Sequence, residues 1–552
     1  MNQRRLLPPF GRPFDRLMAP SSVEGLRAAS LSRRLCGVPV VLAAAILICL
    51  THGCRETIAG YKPLERAARI FPDYADCVIP PNIAPLNFLV KEPGTRYAVT
   101  ISAEQGEAVS VFSSSGSIVI TREPWKKLLS ANRGSKLFVD IYVMSGEDSW
   151  NRFKRLTLTI AKEEIDPYLV YREMPLYNLV WNDMGVYQRD LRNYHESLIL
   201  HNRSFGYGCL NCHTFLRNEP TKMVMNVRGP GPGHPPGGML IAENGLVSRI
   251  VDTKTPFNAI PAIYLAWHPS GKAVSFSTNK VLQCFHTVGD SRDVVDRFSD
   301  VALYRIDTNT ITTVPELSSP DQLETYTTWS PDGQFMYFCS APKLPIERYK
   351  EIRYDLMRIP YDLQTDTWGK LETVLSAKET GLSITLPRFS PDGRFLLFCM
   401  CTYGNFPAFS STSDLYMMDM RTGKHRCLDI NSYKSEAYHS WSSNGRWIVF
   451  SSKRRDGLFA RPYFSYVDEE GKAYKPILLP QKDPTFYDSY IRVYNVPELV
   501  KEPVRLTPRE LAHAIHAPDK LVKAKLDPRV KPRAQPEALK KDWWSRPQGH
   551  AQ

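Results

Sequence analysis

Cys209-Leu-Asn-Cys212-His213 is the stretch of this 552-residue chain whose residue types and spacing point most directly to a particular chemistry. Two thiols three residues apart, followed at once by an imidazole, form the pattern of covalent c-type haem attachment, with the histidine as an axial iron ligand. With 11 Cys and 12 His in the chain, random ordering yields the pattern about 0.005 times. On a short helix, residues three apart share one side, so both sulfurs can reach one edge of a macrocycle. Two other uses stay open. A zinc site needs about four ligands, and no second Cys/His cluster stands nearby in sequence. A redox pair usually accompanies a βαβ pattern, which is absent here.

A low-spin haem carrier needs a second axial ligand, commonly Met or His. Met223 and Met225, in Lys222-Met-Val-Met-Asn-Val-Arg228, follow His213 closely enough to turn back over it, and in a strand both face one side. Met223 is the first candidate and Met225 the alternative, with His234, Met239, His201 and His195 behind them. The competing reading is that both methionines are apolar packing. Arg228 and Arg189 are candidate partners for haem propionates on charge alone.

Covalent haem attachment belongs outside the cytoplasm, and the start of the chain agrees. Arg33-Arg34 precede an apolar run from Leu35 to Leu50, which suits the core of a secretory signal better than a spanning helix. Gly53-Cys54 resembles the end of a bacterial lipoprotein cleavage site, making Cys54 a candidate for lipidation; a short uncleaved anchor is the alternative. Either way the body is expected in the periplasm or cell envelope, tethered to the membrane. The remaining eight Cys are scattered and form no dense disulfide framework. Of these, Cys339, Cys399, Cys401 and Cys427 are expected to be packed strand residues, and Cys77 a free thiol. The net charge of +13 sits mainly in residues 1–35 and 501–552, leaving the middle nearly neutral. This argues against a nucleic-acid surface.

The elements that would position the motif fall into regions. Residues 1–54 read as the leader and 55–79 as a linker. Residues 80–165 hold short β-branched and aromatic runs, such as Tyr97-Ala-Val-Thr-Ile, that fit a small β-sandwich. Residues 166–238 read as a helical and loop haem-binding segment, with a helix expected over Tyr187 to Leu200. Residues 511–552 read as a basic flexible tail.

Between them, 239–510 reads as the propeller domain, on the strength of an internal repeat that covers about 259–455. Trp267-His-Pro-Ser-Gly, Trp329-Ser-Pro-Asp-Gly, Phe389-Ser-Pro-Asp-Gly and Trp441-Ser-Ser-Asn-Gly recur at offsets of 62, 60 and 52 residues. Each is a tight turn followed by an alternating strand, a hairpin signature. Four-stranded units at this period are propeller blades: four explicit, five to seven in all. His439, two residues before Trp441, is expected near a channel-facing blade edge. The repeats resemble those of TolB-type propellers of the bacterial periplasm, and a propeller preceded by one haem motif is similar to a group of envelope proteins carrying both features. The resemblance implies a mainly β, TolB-like fold with haem c as cofactor. It does not extend to the TolB amino-terminal domain, so a Tol–Pal role does not carry over. The function expected from sequence is electron transfer, the propeller docking an envelope or redox partner. The alternatives are a scaffold or sensor with structural haem, or a haem oxidase or peroxidase if the sixth position is open. A hydrolase is disfavoured, since no Gly-x-Ser-x-Gly elbow and too little chain for a peptidase domain follow the repeats.

Overall fold

The computed structural model describes residues 58, 60–146, 149–176, 183–229, 237–284 and 293–533. Cys54, the leader and His234 lie outside the described residues. From Gly60 onward the chain is one compact unit.

The amino-terminal domain begins earlier than the sequence suggests. Tyr61–Ala67 is already a strand, pairing in parallel with Trp150–Lys154 in a seven-stranded sheet. A three-stranded sheet of Ile70–Phe71, Phe88–Val90 and Ser117–Ile118 accompanies it. A helix, Arg122–Ala131, interrupts the strands; Trp125, Leu128 and Leu129 share its buried face, and Trp125 donates its indole N–H to Ile83 O at 3.0 Å. One apolar core runs from this domain into the last propeller blades, through residues such as Trp447 and Phe464.

The remainder of the described residues forms a propeller of six blades. Its innermost strands are Arg492–Val500, Cys209–Leu216, Ile263–Trp267, Gln322–Trp329, Ser383–Phe389 and Glu436–Trp441, belonging to blades I to VI in turn. Each adjoins the next, and the last adjoins the first, so the ring is closed. Blade I unites the two ends of the propeller segment. Its inner strand Arg492–Val500 pairs antiparallel with Tyr168–Pro175, which pairs with Gly185–Asp190 and then Glu196–His201. Blade II is Cys209–Leu216, Glu219–Arg228, Gly237–Glu243 and Leu246–Asp252. The segment 166–238 is therefore not a separate haem module; it supplies blade I and half of blade II.

The helix expected over Tyr187 to Leu200 is a hairpin. Asp190 accepts from the backbone N–H of Arg192 at 3.0 Å and from Asn193 Nδ2 at 2.8 Å, a side-chain turn that reverses the chain. Residues 511–533, expected to belong to a flexible tail, are structured. Thr507 and Glu510 form a capping box on helix Pro508–His516. Leu521–Lys523 and Lys525–Leu526 then add parallel edge strands to blades II and III.

The repeated turn has a physical reading. In Ser-Pro-Asp-Gly, Ser330 Oγ donates to Asp332 Oδ1 (2.5 Å) and accepts from Phe335 N (3.0 Å), and Ser390 and Ser442 do the same in their blades. The glycine closes each turn in the left-handed region, at φ +76° in Gly333. A Cβ on Gly333 would stand 2.8 Å from the His268 ring of the preceding blade, while one on Gly393 would meet Pro331 at 3.3 Å. Turn stacks on turn around the ring. Gly423, at φ +69°, has nothing within 4 Å. Gly423→Ala should cost about 1–2 kcal/mol, the left-handed strain alone. Gly333→Ala should unfold at clearly lower urea, because His268 must also move; equal midpoints would contradict this inter-blade contact.

Candidate functional site

Every innermost strand breaks register at one matching point, between Leu210 and His213 in blade II, where a second break falls at Phe215/Leu216 beside the turn. In five blades the bulge carries a non-glycine residue in the left-handed region: Tyr264, Tyr326, Leu386, Tyr438 and Val496, with φ from +47° to +54°. Such a residue costs on the order of 1–2 kcal/mol, and the ring repeats it because a bulge re-aims the side chain. Tyr264 and Tyr326 meet with ring centroids 4.4 Å apart. In blade II the corresponding residue is Asn211, which is not left-handed. The Cys-x-x-Cys-His motif thus lies on a strand, across the bulge of the innermost strand, and not on a helix.

Charged groups from other blades converge here. Arg172 of blade I donates to Leu210 O (3.1 Å) and Asn211 Oδ1 (3.0 Å), holding the blade II bulge. Arg388 pairs with Glu498 at 3.2 Å, and Glu498 also accepts from Phe215 N. His213 is fully buried. Its imidazole is pushed down to about 3, first by burial and then by the Arg172 and Arg388 charges. The Val170 carbonyl of blade I lies on its side, yet neither ring nitrogen has a hydrogen bond of acceptable geometry. Cys212 is buried against the backbone N–H of Tyr264 in blade III, and burial raises its thiol. Cys209 is half-buried, with Arg228 Nη2 at 3.4 Å from its sulfur.

This arrangement does not fit a covalently held haem. Two thiols and the imidazole must address one macrocycle, but Cys212 turns toward blade III while His213 turns toward blade I and is enclosed. The methionines do not complete an iron site either. Met225 pairs in register with His213 and Met223 with Phe215. Each methionine therefore stands beside its partner on the same side of the sheet, where a flat macrocycle cannot pass between hydrogen-bonded strands. Both are fully buried in the apolar core between blades I and II. Met239 faces the other side, in the core between blades II and III.

His201 pairs with Asp183 at 3.1 Å, and His195 is exposed. Arg189 lies away from the motif, bonded to Pro480 O and Gln481 Oε1. Among the described residues no group of three or more His, Cys, Asp or Glu is placed to hold a metal ion. Cys339, Cys399 and Cys401 are fully buried, whereas Cys427, expected to be packed, is exposed. Cys77 is a buried free thiol, pushed up to about 12 by burial.

Sequence reasoning missed a feature of blade III. Its second and third strands, Ala273–Cys284 and Asp293–Arg305, run far past the blade on the face where inner strands begin. Tyr349 of blade IV and Tyr403 of blade V each donate to Asp293 at 2.8 Å. Asn279 and Asn405 donate to Asp296, whose buried carboxyl is raised to about 7 by desolvation. The hairpin thereby crosses from blade III to blade V on that face. Its only signal in sequence is the length of the two strands.

The fold and this ring define the chain as a six-bladed β-propeller with an appended amino-terminal β-domain. No protein-family profile and no curated protein matches the chain. Among solved structures it is similar to an oligogalacturonate lyase in complex with manganese, at 14% identity and TM-score 0.24, over 52% of this chain and 55% of the lyase. It thus spans about half the length of that protein. It is also similar to a nidogen/laminin complex chain (7% identity, TM-score 0.35, 61% of this chain and 99% of that one). A third likeness is to the propeller domain of the Trilobed protease from Pyrococcus furiosus (9%, TM-score 0.31, 63% and 96%). These likenesses are too low to carry an argument; the strand order itself establishes the propeller.

His439 is enclosed, its Nε2 3.0 Å from Leu397 O and its Nδ1 3.7 Å from Cys399 Sγ. Burial pushes it down to about 3. The unfolded imidazole takes up a proton below about pH 6.5, while the folded one stays neutral. Its contribution to stability is therefore present above that pH and lost as pH falls toward 3. His439→Leu should be less stable at pH 7, and its deficit should shrink by up to about 1.4 kcal/mol per unit between pH 6 and 5. Parallel denaturation curves across that range would show the imidazole to be accessible instead.

Proposed function

We propose that the protein is an exported, envelope-located propeller of TolB-like type that serves as a docking platform for a partner protein. The observation that carries this reading is the placement of exposed apolar side chains. Tyr433 (78% exposed), Ile491 (65%), Tyr207 (52%) and Leu458 (46%) all lie in connections on the face where the inner strands begin, in the sector of blades VI, I and II. Scattered single apolar residues need no explanation, but a set gathered on one face marks an interaction surface. The blade III hairpin crosses the other half of this face, toward blades IV and V. The opposite face carries the tight stacked turns. The Cys399–His439 pair is fully enclosed and burial raises its thiol, so binding is favoured over hydrolysis.

A photo-crosslinking amino acid at Tyr433 or Leu458 in the native envelope should capture a discrete partner, whereas one at Leu246, exposed on the opposite face, should not. Equal capture from both faces would overturn the assignment.

The haem reading is kept as a second one, because His213 is a buried imidazole with both nitrogens unpartnered next to free thiols. It requires blade II to begin in another conformation when haem is attached. The native protein should show no Soret band, and Cys209 and Cys212 should both alkylate in denaturant. A Soret band, with haem retained on the Cys209–His213 peptide after denaturation, would replace the platform reading with that of an electron-transfer cytochrome.

A further inference from the structure

A cavity of about 430 Å³ opens between blades I and VI, away from the channel and the Cys-x-x-Cys-His motif. This is within the range of small-molecule sites. Its polar wall comes from both ends of the propeller segment: Glu173, Arg189 and Glu196 from blade I, and Gln481 and Arg492 from the closing segment. Its apolar wall is aromatic. Phe486 and Tyr490 stack at 4.6 Å, and Tyr194 lies under the Arg189 guanidinium at 5.7 Å.

The charged groups of the pocket are paired with one another. Glu173 accepts from the Tyr490 hydroxyl and faces Arg492 Nε at 3.4 Å. Glu196 accepts from the Tyr171 hydroxyl and lies 4.0 Å from Arg189. Two carboxyls face two guanidiniums, and burial raises the Glu173 carboxyl to about 7, so the wall carries at most a small positive excess, which neither attracts a cation such as a polyamine nor matches the charge of phosphate. It does offer planar donors and acceptors in alternation. Arg189 is 5% exposed and fixed in the wall: its Nη2 donates to Pro480 O and Gln481 Oε1, and its Nη1 lies 4.0 Å from Glu196.

We propose that this cavity is a binding site for a neutral saccharide. Vicinal hydroxyls both donate and accept, matching carboxylate, guanidinium and amide groups side by side. The C–H face of a pyranose ring lies flat on an aromatic ring, and Phe486, half-buried and stacked by one face on Tyr490, is the ring placed for that contact. The assignment rests on neither the docking face nor the haem question, and its test is separate from both.

The test is saturation-transfer NMR on the full chain with cellobiose, maltose and N,N′-diacetylchitobiose at millimolar concentration. At least one should receive saturation, strongest on ring C–H protons. Phe486→Ala and Glu196→Gln should each weaken its binding at least tenfold. Glu196 is partly exposed, so Glu196→Gln is expected to melt within a few degrees of the parent chain and to keep the test valid if Phe486→Ala does not fold. Absence of binding by all three sugars would overturn the proposal. So would binding that Glu196→Gln leaves unchanged, or displacement of the sugar by glycylglycine, which would mark a zwitterion site.

Discussion

The structure depends on one strand pairing. Arg492–Val500 lies antiparallel to Tyr168–Pro175, joining segments more than 300 residues apart and converting a row of blades into a ring. Loop-closure entropy grows only with the logarithm of length, so this long connection costs little more than a short one. What the pairing gains is burial: Tyr494, Leu499 and Val500 are fully enclosed, and both neighbouring blades lose an exposed face. The amino-terminal domain reinforces the same region. Asn87 donates to Gln481 O and Lys482 O, and Asp166 accepts from the backbone and hydroxyl of Ser443 in blade VI.

Closure also explains the channel. Six inner strands meeting around one axis leave little room for side chains, and a bulge in each strand turns successive residues into different neighbours. As adjacent strand residues, Cys212 and His213 point to opposite sides of blade II. Arg172 then crosses from blade I to hold the bulge through Leu210 O and Asn211 Oδ1. The unpartnered nitrogens of His213 are the part of this arrangement that packing alone does not account for. Replacing an enclosed imidazole of this kind with an apolar group of similar size would remove its desolvation cost.

How much was legible follows the turn chemistry. Blades III to VI announce themselves because each inner hairpin sets an aromatic four residues before a turn glycine, with Pro, Asp or Asn filling the turn between them: Pro-Ser-Gly, Pro-Asp-Gly twice and Ser-Asn-Gly. Blade II uses Arg217-Asn218, both left-handed, and Arg in such a turn gives no signal in sequence. Blade I has no inner hairpin at all, since its first strand arrives from the far end of the chain. The haem motif was legible as a spacing, but spacing carries no backbone conformation. The same five residues can lie on a helical turn or across a β-bulge, and only neighbouring blades decide which. Tyr187 to Leu200 was misread for a related reason: the polar turn from Asp190 to His195 interrupts two short strands whose combined pattern imitates a helix.

The cavity between blades I and VI sits on the closing seam itself. Glu173, Arg189 and Glu196 reach it from the strands that open the propeller, and Gln481, Tyr490 and Arg492 from the segment that shuts it. Behind it, Arg461 is almost completely buried and donates to the carbonyls of Tyr490 and Arg492, tying blade VI to the closing strand. A molecule bound there touches both sides of the pairing on which the ring depends. Anything that binds the closed ring and not the open chain stabilises closure in proportion to the logarithm of its concentration over its dissociation constant. A site within a single blade would stabilise that blade, whereas a site on the seam couples occupancy to the integrity of the whole propeller and to the docking face built from its connections.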